Sequence, residues 1–186
     1  VGASPRIAVY GSSTVTEGDR AYHEALDLGA ALARAGAVVM TGGYAGTMEA
    51  ASRGAREAGG HVIGVTLESD PSRPPNRWVG ERVHAPDLFE RLRVLILSAD
   101  GIVAVAASLG TFTEVLLAWT LLSLGARPRV PLVLLGKDWP AWLEATRRAG
   151  AITDELLGHV TLAATPAEAA RLVLAGAGVS ARGDRP

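Results

Sequence analysis

The sequence predicts an α/β protein with a doubly wound parallel sheet in three α/β/α layers. Three observations carry that reading. Short β-branched or apolar runs alternate with longer helical stretches along the 186-residue chain, an order that calls for parallel strands and right-handed crossovers. Glycine-rich turns follow strands and open helices at Gly11, Gly42 and Gly110. The hydrophobic share is 48% with only 5% aromatic, so Ala, Val and Leu must build the core, as they do in sheets covered on both faces.

Arg6–Tyr10 reads as the first strand and ends in Gly11-Ser12-Ser13. A helix follows from about Thr16, its buried face marked by Tyr22, Ala25, Leu26, Gly29, Leu32 and Ala33 at helical spacing. Gly36 closes it as a left-handed cap. Ala37–Met40 is the second strand; beyond a glycine-rich turn, a helix covers about Gly46 to Ala58 and stops at Gly59-Gly60. His61–Val65 is the third strand. Between Glu68 and Gly80, the prolines and polar residues of Pro71–Arg77 deny either period and predict a loop. A short strand at Arg82–His84 leads into a helix over about Asp87–Ser98. Then come a strand at Gly101–Val105, a long helix over about Thr111–Leu124, a strand at Pro131–Leu135 and a helix at Trp139–Ala149. A strand at His159–Ala163 and a helix at Pro166–Leu174 finish the pattern. The expectation is one Rossmann-like domain over residues 1–175 and a flexible Gly/Ser/Arg-rich tail at 176–186.

Composition removes several classes of function. A formal net charge of −1 makes no electrostatic case for nucleic acid or an anionic membrane. Lys137 is the one lysine among 18 basic residues, a usage that codon bias explains. The chain has no cysteine, which excludes disulfides, thiolate catalysis and Cys-ligated metals. Val1–Pro5 lacks the basic-then-apolar run of a secretory signal. The longest apolar run, Val115–Leu122 with Thr120 inside it, falls far short of the roughly 20 residues that cross a bilayer. A cytoplasmic location is expected. His23, His61, His84 and His159 are scattered without ligand spacing and read as surface or packing residues; no metal and no organic cofactor is expected.

Ligands of open parallel sheets bind beyond the carboxyl ends of the strands, where the strand order reverses. Three turns fall there: Gly11-Ser12-Ser13, Gly42-Gly43-Tyr44-Ala45-Gly46-Thr47, and Ser108-Leu109-Gly110-Thr111. Each combines small residues with the amides and dipole of a helix start, which favour anions. None matches the dinucleotide fingerprint or the Gly-x-x-x-x-Gly-Lys loop, so NAD binding and ATP hydrolysis are disfavoured and a phosphate-bearing small molecule is expected. Glu114 lies one helical turn beyond Thr111 and can face the ligand; Thr111-x-x-Glu114 also fits a capping box, which needs no function. Arg91 falls beside the stripe Leu88, Leu92, Leu95 and Ala99 and either seeks a partner or is a solvated position between Glu90 and Arg93. The helix after Thr111 is apolar nearly all round and is predicted to be buried on every side, one of them against a second subunit.

The stretch Gly42–Met48, with Gly54-Ala55 and Gly59–Val65, resembles the LOG (Lonely Guy) family, long labelled possible lysine decarboxylases. That family carries a Gly-Gly-Gly-x-x-Gly-x-Met turn and a later Gly-Gly-x-Val-Ile-Gly strand. Gly11-Ser12-Ser13 fits its Cys-Gly-Ser-Ser turn with Tyr10 in place of the cysteine. Asp87–Arg91 resembles its Asp-Met-His-Glu-Arg-Lys helix, and Ser108–Glu114 falls at its Pro-Gly-Gly-x-Gly-Thr-x-x-Glu motif. The resemblance covers roughly residues 6 to 165 and extends to molybdenum-cofactor carrier proteins, which bind without turnover. It implies a nucleoside 5′-monophosphate phosphoribohydrolase that releases free base and ribose 5-phosphate, or a non-catalytic nucleotide or cofactor carrier. It implies Arg91 and Glu114 as catalytic residues. It also implies Gly11, Ser12, Ser13, Gly42, Gly43, Gly46, Thr47, Met48, Ser108, Gly110 and Thr111 as the binding set, and a homo-oligomer. A carboxylate near the anomeric carbon would stabilise the cation-like sugar of N-ribosyl cleavage.

Departures from the motif are Ala106-Ala107-Ser108 for Pro-Gly-Gly, Leu92 for the lysine, and Thr47 and Glu49 around Met48. Ala107 and Ser108 do not give the backbone the freedom that glycine does. Decarboxylation through a pyridoxal Schiff base needs a lysine; Lys137, in a Gly-Lys-Asp-Trp turn, reads as a solvated turn residue instead.

Overall fold

The computed structural model describes residues 3–68 and 72–180. Its strands are β1 (Arg6–Tyr10), β2 (Val38–Thr41), β3 (Val62–Leu67), β4 (Glu81–Ala85), β5 (Gly101–Ala104), β6 (Leu132–Leu135) and β7 (Thr161–Ala163). All pair in parallel, in the order β4-β3-β2-β1-β5-β6-β7. The order reverses between β1 and β5, so the doubly wound architecture read from the sequence is the one present.

The helices are α1 (Arg20–Arg34), α2 (Thr47–Glu57), α3 (Leu88–Leu97), α4 (Leu109–Ser123), α5 (Trp139–Arg148), α6 (Asp154–Leu157) and α7 (Pro166–Ser180). Alternate residues of the central strands point to opposite faces and nucleate two cores. Ile7, Val9, Val39 and Val103 pack with α1, α2 and α7. Ala8, Met40, Ile102 and Leu134 pack with α3, α4 and α5. Close approach of α1 and α2 requires small residues: a Cβ on Gly29 would strike the backbone carbonyl of Ala51, and one on Gly54 that of Leu26.

Several boundaries differ from expectation for local reasons. The first helix begins at Arg20, not Thr16, because Asp19 accepts from both the amide and the hydroxyl of Thr16 at 2.8 Å and holds that segment as a turn. The last helix does not fray at Gly176; it continues to Ser180, with Ala177 fully buried and Gly176 packed on the Pro131 ring. The rest of the expected tail, 181–186, lies outside the described residues. Four residues at α6, capped by Thr153 Oγ1, were not anticipated. No helix among the described residues is long and apolar enough to cross a membrane.

The long helix was expected to be covered on every side, one of them by a second subunit, and the single chain covers only part of it. α4 buries Val115, Ala118, Trp119 and Leu122 but leaves Leu109 86% and Leu124 73% exposed, with Leu116 and Leu117 also open. α7 cannot cover that face, since it packs on the opposite side of the sheet.

Candidate functional site

At the carboxyl edge, the first two predicted turns form one unit. Thr47 donates from its amide (3.0 Å) and its hydroxyl (3.1 Å) to the carbonyl of Ser12. Gly11 must be glycine because a Cβ there would collide with Thr47 Oγ1, and a Cβ on Gly46, at φ +71°, would strike the Ser12 carbonyl. Ser12 is 4% exposed and its hydroxyl sits 2.8 Å from Thr14 Oγ1 and accepts the Thr14 amide, so it braces its own turn; Ser13 is exposed beside it. Thr47 and Met48 are buried and support the turn from beneath.

Sequence reasoning missed the residue that clamps the second turn from outside. Asn76, in the connection from β3 to β4, donates its amide (2.8 Å) and its Nδ2 (3.1 Å) to the Gly43 carbonyl. Nδ2 also reaches the Tyr44 carbonyl at 2.9 Å. Tyr44 in turn places its hydroxyl on the Leu67 amide. An Asn within a loop carries no periodic signal, and only the folded chain brings it to Gly43.

The third turn starts α4. Ser108 is the N-cap: its hydroxyl accepts the Thr111 amide and lies 2.9 Å from Thr111 Oγ1. Thr111 is therefore the third residue of the helix, and Glu114 is too far along for the capping box that the spacing allowed. The amides of Leu109 and Gly110 precede the first helical hydrogen bond, from Phe112 to the Ser108 carbonyl, and have no acceptor within the helix. Gly110 is exposed, and a Cβ there would meet nothing nearer than Ser108 Oγ at 3.9 Å. This helix entrance is open, and its dipole and amides attract anions.

Arg91 and Glu114 are brought together, but inside the protein. Arg91 is 9% exposed. Its Nε donates to the Val65 carbonyl at 2.9 Å and its Nη2 to the Gly42 carbonyl at 3.3 Å. Its Nη1 lies 3.7 Å from Glu114 Oε1, and the guanidinium stands over the Tyr44 ring. Gly42 has no side chain because Arg91 Nη2 and Met48 Sδ occupy its Cβ position. The guanidinium thus ties β2, β3 and α3 to α4. Burial pushes the Glu114 carboxyl up to about 7, and the Arg91 charge only partly opposes that effect. Tyr10, whose hydroxyl donates to the Leu95 carbonyl, is held well above the usual phenol range by burial and by the neighbouring Glu114.

A family model described as the SLOG cluster4 family matches residues 4–134, a span that includes all three turns, Arg91 and Glu114. The chain belongs to the SLOG cluster4 family. Among solved structures, this SLOG chain is similar to the molybdenum cofactor binding protein from Rippkaea orientalis, at 27% identity and a TM-score of 0.74, covering 93% of this chain and 97% of that one. It is also similar to the molybdenum cofactor carrier protein from Chlamydomonas reinhardtii, at 31% identity and a TM-score of 0.73, over 93% and 98% of the two chains. An uncharacterized protein of Archaeoglobus fulgidus is 30% identical over 114 residues, 61% of this chain and 72% of that protein. The LOG-like resemblance therefore holds at the level of the SLOG fold, and these two solved structures are of a cofactor binding protein and a cofactor carrier.

Proposed function

We propose that this SLOG protein is a cytoplasmic carrier that binds a phosphate-bearing ligand of the nucleotide or molybdenum-cofactor type at the carboxyl edge of its sheet, without turnover. The observation that carries the reading is the inward use of Arg91 and Glu114. The guanidinium is committed to two backbone carbonyls and a carboxylate, and both side chains are buried. Anion binding falls instead to the Leu109 and Gly110 amides, with Ser13 and the Gly43–Gly46 turn bordering the same edge. Ser108 and Thr111, bonded to each other, shape this entrance, and Gly11, Ser12, Gly42, Thr47 and Met48 hold the other two turns in place.

Thermal shift with AMP and with inorganic phosphate tests this. At a ligand concentration about 100 times Kd, a carrier gains roughly 2.7 kcal/mol of stability and releases no adenine. Gly110→Asp, sterically free, sets a negative charge at the helix entrance and abolishes the gain while the fold persists. Adenine release that disappears in Glu114→Gln overturns the carrier reading.

That second outcome is the phosphoribohydrolase reading, and one observation favours it. A carboxyl at about 7 is matched to general acid–base work near neutral pH.

We further infer a homodimer through α3 and α4. Phe89 is 84% exposed, and Leu88 beside it and Leu116 and Leu117 on α4 are also open to solvent, large apolar side chains of the kind that a second subunit covers. Light scattering is expected to give about twice 19.2 kDa, reduced to the monomer mass by Phe89→Glu with Leu117→Glu. A wild-type monomer rejects the dimer.

A further inference from the structure

A cavity of about 350 Å³ lies between the ends of β5 and β6, where the N-terminus of α1, the residues after β5 and the Gly136–Asp138 turn converge. It is on the other side of the β1–β5 reversal from the contacts of Arg91, which reach β2 and β3. It adjoins the third turn, since Ala106, Ala107 and Phe112, on either side of Ser108–Thr111, line it. Its volume is at the low end for ligand cavities, roughly 300–1,000 Å³, enough for a bicyclic ring with a short substituent.

One wall is aromatic. Phe112 and Trp142 lie with centroids 5.0 Å apart and planes tilted by 32°, and Trp139 stands edge-on to both. Trp139 is locked by its indole N–H on the Val105 carbonyl at 2.9 Å, so the wall is rigid. The same lining includes a mostly buried carboxylate. Glu24, with a side chain 14% exposed, takes the Arg20 Nε on its Oε1 at 2.6 Å. Its Oε2 is directed to Gly136, where a Cβ would lie 3.7 Å away. An ionised carboxylate only accepts hydrogen bonds, and Arg20 has further N–H groups beside it. The pair offers acceptors and donors next to each other at the rim of a flat apolar slot.

We propose that this cavity binds a planar heterocycle with two adjacent N–H donors beside a ring carbonyl, the edge shared by guanine and pterin. Glu24 accepts from the two donors, Arg20 donates to the ring carbonyl, and the Phe112–Trp142 wall covers the ring face. Adenine is refused, because its ring nitrogen would turn a lone pair toward the carboxylate, and such a mismatch is what discriminates ligands. Lys137, exposed at the junction with a second cavity that shares Arg20 and Gly136, makes no ion pair among the described residues and suits an anionic substituent on the ring. This proposal rests on the reading of a nucleotide- or molybdenum-cofactor-type ligand, whose ring this cavity would take, while phosphate binding at the α4 entrance is measured separately.

Trp139 and Trp142 report occupancy directly. Titration of the full chain with guanosine, pterin and adenosine is expected to give saturable fluorescence quenching with guanosine, pterin or both, and none with adenosine. Which of the two quenches identifies the source of the ring. By calorimetry, Glu24→Gln is expected to weaken binding about tenfold or more, because a charge-assisted pair is replaced by a neutral one. Trp142→Ala, a second route to the same loss, removes the ring's cover. Inorganic phosphate is expected neither to compete nor to bind less well to Glu24→Gln, which separates this site from the α4 entrance. Equal quenching by adenosine and guanosine, no quenching by any of the three, or unchanged affinity in Glu24→Gln overturns the proposal.

Discussion

Stability is expected to fall by about 3 kcal/mol between pH 4 and pH 8 through Glu114 alone, and Glu114→Gln is expected to remove that part of the dependence. The folded protein keeps the Glu114 proton up to about 7, whereas an unfolded chain gives it up near 4.5. Between those values the native state binds more protons than the unfolded one, so the free energy of unfolding decreases as pH rises. The contribution is fully present below 4.5 and lost above 7, opposite to an ordinary salt-bridged carboxylate. Burial causes it: the charged form is desolvated, and Arg91 at 3.7 Å is too distant and too engaged elsewhere to compensate. Urea midpoints of both proteins at half-unit pH steps measure the difference, which cancels the titration of other groups. Parallel curves for the two proteins would show that folding leaves the titration of Glu114 unchanged.

Arg91→Ala is expected to cost about 2–4 kcal/mol of folding stability, because each buried acceptor left without its donor costs roughly 1–3 kcal/mol. It leaves the carbonyls of Val65 and Gly42 without their donor and Glu114 without its counter-charge. Arg91→Lys is expected to recover only a minor part, because a point-like ammonium cannot serve carbonyls on two strands and a carboxylate at once. Arg93→Ala, two residues away on the solvent side with its side chain 68% exposed, is expected to stay within about 0.5 kcal/mol of wild type. Chemical denaturation of the three variants decides the point. A stable Arg91→Ala protein that has lost only an activity would make Arg91 the exposed catalytic group suggested by its place in the motif.

The contrast between these neighbours shows how far local pattern reaches. Arg91 sits between Glu90 and Arg93 on a helix whose apolar stripe was plain, so its proximity to the core was legible. Its partners were not, because Val65, Gly42 and Glu114 lie 26, 49 and 23 positions away. The same limit applies to α4. A run such as Val115–Leu122 demands burial, yet which face the sheet takes and which it leaves open depends on where α3 and α5 fall. The connection from β3 to β4 was correctly seen as irregular, but its use as a clamp on Gly43 rests on Asn76 arriving from 33 positions away.

Alternating β and α periods, read from the chain alone, determined the parallel sheet, its seven strands, every helix but the four-residue α6 and the three turns at its carboxyl edge, since these depend on spacing among near neighbours. Tertiary structure alone decided that Ser108 rather than Thr111 caps α4, that Arg91 and Glu114 face each other inside, and that an aromatic cavity opens beside Glu24. Those outcomes depend on which distant backbone carbonyls and rings a side chain meets after the crossovers are made, and on the desolvation that follows, neither of which residue spacing encodes.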